Sequence, residues 1–213
     1  MVEIVPAILA KNREELIGKL QTLEGIVERV QIDIMDGKFV PNRTILPEEF
    51  GKINTKLKME QHLMVENAIG HIRKLKGNAW MVVVHLECCK KNIEETMNEI
   101  RKIGAKVGIA LNPETPIEKI IPYLEKMDMV LVMTVTPGFQ RQGMVKEALE
   151  KVKRIRKIKP EMEIEVDGGI NRHTISEAAK AGATVFVAGS AIFDSPDLKK
   201  AVEELEKTAR EAQ

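Results

Sequence analysis

Eight short runs of apolar, mostly β-branched residues recur along this chain, each followed by a charged stretch with helical periodicity. The repeat from one apolar run to the next is roughly 25 residues, the length of one strand, its crossover helix and two short connections. The strand candidates are residues 4–9, 29–35, 58–64, 81–86, 106–111, 129–135, 163–166 and 184–188. The helical candidates are 13–23, 47–54, 68–75, 92–103, 116–124, 146–158, 174–181 and 197–209. Alternating strands and helices with no long linker form either an open doubly wound sheet or a closed barrel. A unit count of eight favours the barrel, and the first strand is followed by Leu9-Ala-Lys-Asn12, which has none of the glycines of a dinucleotide fingerprint. The chain of 213 residues is therefore expected to form a single (β/α)8 TIM-barrel domain spanning residues 1–213. Helix boundaries carry supporting signals. Asn92, Pro116 and Ser195-Pro196-Asp197 open helices, and Gly104 and Gly182 follow them.

Composition excludes several classes. Lys and Arg number 33 against 32 Asp and Glu, so the net charge of +1 offers no nucleic-acid footprint. Aromatics make up only 3% of a chain that is 44% hydrophobic, so the core is aliphatic, with 11 Met among its fillers. No signal-peptide pattern opens the chain and no apolar run is long enough to span a membrane. A cytoplasmic protein is expected, with the adjacent Cys88 and Cys89 as reduced thiols.

Barrel active sites lie at the C-terminal ends of the strands, and several of these ends carry reactive side chains. In the second strand, Gln31, Asp33 and Met35 share one face, and the strand breaks at Asp36-Gly37. A carboxylate in a sheet interior needs a metal, a cation or a reaction to justify it, so Asp33 is a functional candidate. His62 ends the third strand and Asp167 the seventh. Two carboxylates, an imidazole and the Gln31 amide oxygen form a donor set that a divalent ion accepts. An anion site is expected from two glycine turns in consecutive units, Gly168-Gly169 and Gly189-Ser190, with 190–193 as the short helix that barrel phosphate sites use. The loop 136–143 after the sixth strand reads as a lid, with Gly138 at its rigid start and Arg141 as a charge for phosphate. Met35, Met64 and Met133 fall at strand ends, where they would either floor the site or fill the core. The set suits proton transfer next to a carbonyl: one carboxylate removes a proton, the other returns one, and a metal stabilises the enediolate.

The motifs Asp33-Ile-Met-Asp-Gly-Lys-Phe-Val-Pro-Asn42, His62-Leu-Met64, 111–116, 133–139, Glu165-Val-Asp-Gly-Gly169 and 189–193 resemble, in content and order, those of the ribulose-phosphate 3-epimerase family. The resemblance runs from Pro6 to about Pro196. It implies interconversion of D-ribulose 5-phosphate and D-xylulose 5-phosphate in the pentose phosphate pathway by a homo-oligomeric enzyme. Asp33 and Asp167 would be its acid/bases, and Asp33, His62 and Asp167 its ligands for one divalent ion. The glycine turns would hold the phosphate. Three positions depart from the pattern. Gln31 stands where the family has a fourth, histidine ligand, which predicts weaker zinc binding or a shift to Mn or Fe(II). Ala7 and Ala10 replace serines, and Gln140 and Arg141 replace lid glycines. These leave two alternatives, an epimerase of another ketose phosphate such as allulose 6-phosphate, and a sugar-phosphate-binding barrel without turnover. The role of His85, at the end of the fourth strand, is open.

Overall fold

A computed structural model of the chain describes residues 2–75, 77–89, 92–139 and 141–213. Eight parallel strands follow one another in the order β1 to β8 and close into a barrel. They are β1 (Glu3–Ile8), β2 (Arg29–Met35), β3 (Lys58–Met64), β4 (Met81–His85), β5 (Lys106–Leu111), β6 (Met129–Met133), β7 (Glu163–Asp167) and β8 (Val185–Ala188). The alternation read from the sequence thus gives the expected (β/α)8 class, with strand ends within two residues of expectation.

Between them lie α1 (Arg13–Leu23), α2 (Ala68–Ile72), α3 (Leu86–Cys89), α4 (Ile93–Lys102), α5 (Leu149–Ile158), α6 (Ile175–Ala181), α7 (Ser190–Phe193) and α8 (Leu198–Arg210). Local chemistry sets their ends. Asn12 caps α1 by accepting the Glu15 N–H at 2.9 Å, and Asp197 caps α8 through the Lys200 N–H at 3.0 Å. Gly182 ends α6 with φ 105°, a conformation that an L side chain resists. Leu16, Leu20 and Leu23 form the buried stripe of α1, as Val202, Leu205 and Ala209 do in α8.

Two expected helices are only 3-10 turns. The segment 47–54 is helical over Pro47–Glu49 alone. Arg13 takes the carbonyls of Phe50 and Lys52 that a longer helix would use, at 2.8 and 3.1 Å, and Gly51 turns to φ 59°. The segment 116–124 becomes two turns, Ile117–Lys119 and Ile121–Lys126. Pro122 lacks an N–H and its ring obstructs the preceding turn. The first turn of 146–158 is likewise 3-10 before α5 begins. The short α3 was not expected. It bends the chain away directly after His85, where the sequence continues β4 for one residue more.

The chain divides into two compact units, residues 7–109 and residues 1–6 with 110–213. In the first, β2 and β3 pair in register from Arg29↔Lys58 to Met35↔Met64, and β3 and β4 from Glu60↔Met81 to Leu63↔Val84. Every residue of β2 is buried. Near the start of this pair, Arg29 and Glu60 form a buried ion pair at 3.6 Å, with the Arg29 guanidinium 5.2 Å over the Trp80 ring. In the second unit, Glu3–Pro6 pairs with Val185–Ala188, β6 with β7 up to Met133↔Asp167, and β7 with β8. None of the helices among the described residues is long and apolar enough to cross a membrane.

Candidate active site

The register of β2 and β3 sets Asp33 directly beside His62. Parallel neighbours at the same level project to the same side of the sheet, so the two side chains meet. Asp33 Oδ1 lies 3.3 Å from His62 Nδ1 and accepts the Gln31 amide N–H at 2.8 Å. Gln31 and His62 are wholly buried and Asp33 is 6% exposed. Burial pushes the Asp33 carboxyl up to about 7, against the Gln31 hydrogen bond, which favours the charged form. The pattern of the sequence offers the Gln31 amide oxygen to a metal. The amide nitrogen donates to Asp33, so Oε1 is the atom that would face a metal.

The backbone around Asp33 is locked by Thr44, two residues beyond the Asp33–Asn42 motif. Thr44 Oγ1 donates to the Asp33 carbonyl at 2.7 Å and accepts the Met35 N–H at 2.9 Å. Asp36 then pins the connection. Burial works to raise its pKa, but the N–H groups of Glu66, Lys38 and Phe39 hold it below the usual carboxylate value. Gly37 makes the turn at φ 76°. This explains the second aspartate of the Asp33–Asn42 motif as a structural pin. Met35 and Met64 pack with Val40, against Leu9 and Phe39. Ala7 and Ala10 are both buried.

Beyond His62 stands His85, its Nε2 2.9 Å from His62 Nε2. Its Nδ1 lies 3.6 Å from Glu87 Oε2. The signal for this pair was present in 84–87, a histidine and a glutamate bracketing a strand end. The contact with His62, however, depends on lateral register.

In the other unit, Asp167 ends β7 beside the buried Met133. Thr134 holds this end: its N–H and hydroxyl donate to the Asp167 carbonyl at 2.8 and 3.1 Å, and its hydroxyl to the Gly168 carbonyl at 2.6 Å. Gly168 has φ 124°, and a Cβ there would fall 2.6 Å from a Val135 methyl. Gly169 has φ 65°, and its Cβ would fall 2.6 Å from the Met144 nitrogen. Both glycines are thus demanded by the close approach of the loop that follows β6. That loop carries Gly138 at φ 115° and is tied by Gln142 Nε2 to the carbonyls of Thr136 and Phe139. Gln140 lies outside the described residues. Arg141, in the left-handed region at φ 62°, grips both oxygens of Asp194 at 2.9 and 3.0 Å. Its charge is therefore neutralised by a carboxylate at the end of α7. Gly189 and Ser190 open α7, as the sequence implied. The groove on this unit lined by Arg172, Ser190, Lys200, Asp194, Asp197 and Glu204 balances its cations with carboxylates, so its charge does not select an anion.

One ligand atom from each of Asp33, His62 and Asp167 lies within 4.8 Å of the other two, a grouping that suits a divalent metal ion. Eight parallel strands closed into a barrel, with acid and imidazole groups at their C-terminal ends, define a (β/α)8-barrel enzyme. The sequence matches the profile of the ribulose-phosphate 3 epimerase family over residues 3–193, and the chain belongs to that family. It is 37% identical to the ribulose-phosphate 3-epimerase of Bacillus subtilis, across 96% of this chain and 98% of that relative. Identity is also 37% to the enzyme of that name from Schizosaccharomyces pombe, across 99% and 95%. The crystal structure of 3-hexulose-6-phosphate synthase from Salmonella typhimurium superposes with a TM-score of 0.69 over 100% of both chains, at 15% identity. At that identity the likeness concerns the fold alone.

Proposed function

We propose that this chain is a ribulose-phosphate 3-epimerase that interconverts D-ribulose 5-phosphate and D-xylulose 5-phosphate by two-base proton transfer at C3. Family membership over nearly the whole chain supports the substrate class. The observation that carries the chemistry is the grouping of Asp33, His62 and Asp167. Inverting a carbon next to a carbonyl requires removing its proton on one face and returning one on the other, which two carboxylates do and one does not. Asp33 and Asp167 take these roles. Burial raises the Asp33 carboxyl above its ordinary value, which makes its ionised form a stronger base for a proton next to a carbonyl. The Gln31 N–H aims it, and Thr44 fixes the backbone that carries it.

The donor set fits a divalent cation such as Zn, Mn or Fe(II), because it joins two carboxylates to an imidazole and includes a buried Asp33 that a cation would keep ionised. Asp33, His62 and Asp167 would hold the ion, with Gln31 Oε1 as a neutral fourth donor. When bound, it supplies positive charge for the enediolate oxygens. Met35, Met64 and Met133 give the reacting carbons an apolar floor that competes for no hydrogen bond. Backbone N–H groups at Gly138, Gly168, Gly169, Gly189 and Ser190 receive the phosphate, and Arg141 adds charge on leaving Asp194.

The test is exchange at C3. D-Ribulose 5-phosphate incubated with the protein in D2O should gain one deuterium at C3 in step with formation of D-xylulose 5-phosphate, read by NMR. Allulose 6-phosphate runs in parallel, because Ala7 and Ala10 remove hydroxyls from the end of β1. Exchange with allulose 6-phosphate only would transfer the reading to that ketose phosphate. Exchange with neither, under any of the three metals, would leave a barrel that binds without turnover.

A further inference from the structure

Four side chains of the 7–109 unit stand in a row: Asp33, His62, His85 and Glu87. Both imidazoles are wholly buried. Their planes differ by 15° and their centroids are 5.0 Å apart, with the two Nε2 atoms 2.9 Å from each other. The rings therefore meet edge to edge, the alignment in which a ring N–H points at the lone pair of the other ring. One proton, and only one, belongs between these nitrogens. At the outer edges, His62 Nδ1 faces Asp33 Oδ1 at 3.3 Å and His85 Nδ1 faces Glu87 Oε2 at 3.6 Å.

With both rings neutral, the central bond permits two arrangements. In the first, His62 carries its proton on Nδ1, toward Asp33, and His85 donates from Nε2. The lone pair of His85 Nδ1 then confronts the Glu87 carboxylate. In the second, His62 donates from Nε2 to His85, and His85 turns an Nδ1–H toward Glu87. Only the second leaves the His62 Nδ1 lone pair on the Asp33 side, where a cation shared by both would sit. A carboxylate facing an N–H is favoured over one facing a lone pair, so Asp33 favours the first arrangement and Glu87 the second; a cation held between Asp33 and His62 Nδ1 would remove the Asp33 preference and leave that of Glu87 to set the row. The Phe39 ring packs on His85 at 5.0 Å between centroids and restrains its rotation.

We propose that His85 and Glu87 are positioning residues that hold His62 in the Nε2–H tautomer and present its Nδ1 to the metal. A carboxylate that orients a ligating histidine is a common support of metal sites; here a second histidine relays that orientation across the barrel wall. The inference rests on His62 being a ligand.

The test is calorimetric titration of zinc into chelator-treated protein, with 15N spectra of the histidine rings. His85→Phe keeps the ring's packing but removes the acceptor, and Glu87→Leu removes the distal carboxylate. Each should weaken zinc binding about 10- to 100-fold. Glu87→Gln, whose amide oxygen still accepts, should recover most of the loss. In the zinc-loaded wild type, His62 should be protonated at Nε2 and His85 at Nδ1. A purely structural role would lower the melting temperature of the metal-free variants and leave zinc affinity unchanged. Zinc affinity within about twofold of wild type in both His85→Phe and Glu87→Leu overturns the proposal. So does a wild-type 15N spectrum with the His62 proton on Nδ1 in the loaded protein, a readout that needs no variant to fold. A wild type that takes up no zinc, manganese or iron removes the ligand reading of His62 and this inference with it. Wild-type binding with unchanged variants removes this inference alone.

Discussion

Asp33 is buried, hydrogen-bonded by Gln31 and next to His62, so small changes around it should have large effects. Asp33→Asn and Asp167→Asn should each lower turnover by about 10²- to 10⁴-fold, because each deletes one of two proton-transfer groups. Far-ultraviolet circular dichroism should stay unchanged, and near-normal turnover in either variant would remove the two-base mechanism. Gln31→Leu deletes a donor to a buried charged group, an interaction of about 1.5–3 kcal/mol. The Asp33 carboxyl should rise beyond its present value of about 7, and metal affinity at neutral pH should fall about tenfold or more by calorimetry. Gln31→His should instead tighten zinc binding. Asp33, His62 and Asp167 were legible in the sequence because a charged or imidazole group at the end of an apolar run has few structural uses. The donor role of Gln31, the Thr44 latch and the His85–Glu87 pair were not, because each depends on which atom meets which neighbour once the strands are in register. In the sequence Arg141 is simply a charge in a loop, and its grip on Asp194, 53 residues away, is not visible there.

At the scale of elements, ties between neighbours set where stability and order reside. Glu99 on α4 receives Arg73 at 2.8 Å, just past α2, and Lys102 at 2.6 Å. The Arg73 and Lys102 hydrogen bonds hold Glu99 at about 2, below its ordinary 4.5. A depressed carboxylate contributes stability that is present above the unfolded value and is lost as pH falls from 4.5 toward 2. The difference in urea midpoint between wild type and Glu99→Gln should therefore be visible at pH 7, shrink as pH falls below 4.5 and vanish only below about pH 2. Gly169→Ala forces a Cβ against Met144 in the left-handed region, and should cost about 1–3 kcal/mol in urea unfolding while loosening the loop after β6. The strands were readable because a buried parallel strand is a continuous apolar run bounded by polar turns. Two expected helices shorten to 3-10 turns, in one case because Pro122 interrupts a segment whose apolar spacing is helical. In the other, Arg13, distant in sequence, takes the carbonyls that a helix would need.

Over the whole molecule, the fold is shared with a synthase at 15% identity, so the barrel alone does not define the reaction. Of the departures, Ala7 and Ala10 lie around the end of β1, Gln31 lies within β2 two residues before Asp33, and Arg141 lies in the loop after β6. The aliphatic core that closes the strand order is left intact. Changes at such positions alter the candidate site without touching the architecture. Its thiols should be bystanders. Burial pushes Cys89 up to about 11 and raises Cys88 further, so both should resist iodoacetamide at pH 7.5 in the folded protein and react readily in urea. The central claim is that Asp33, His62 and Asp167 act together as a metal-assisted acid/base site. Its most direct test is turnover of D-ribulose 5-phosphate in a coupled assay, with protein as purified, after exhaustive chelation, and after return of Zn, Mn or Fe(II). Activity lost on chelation and restored by at least one of these ions is the predicted result. Undiminished turnover by protein that retains no metal would contradict it.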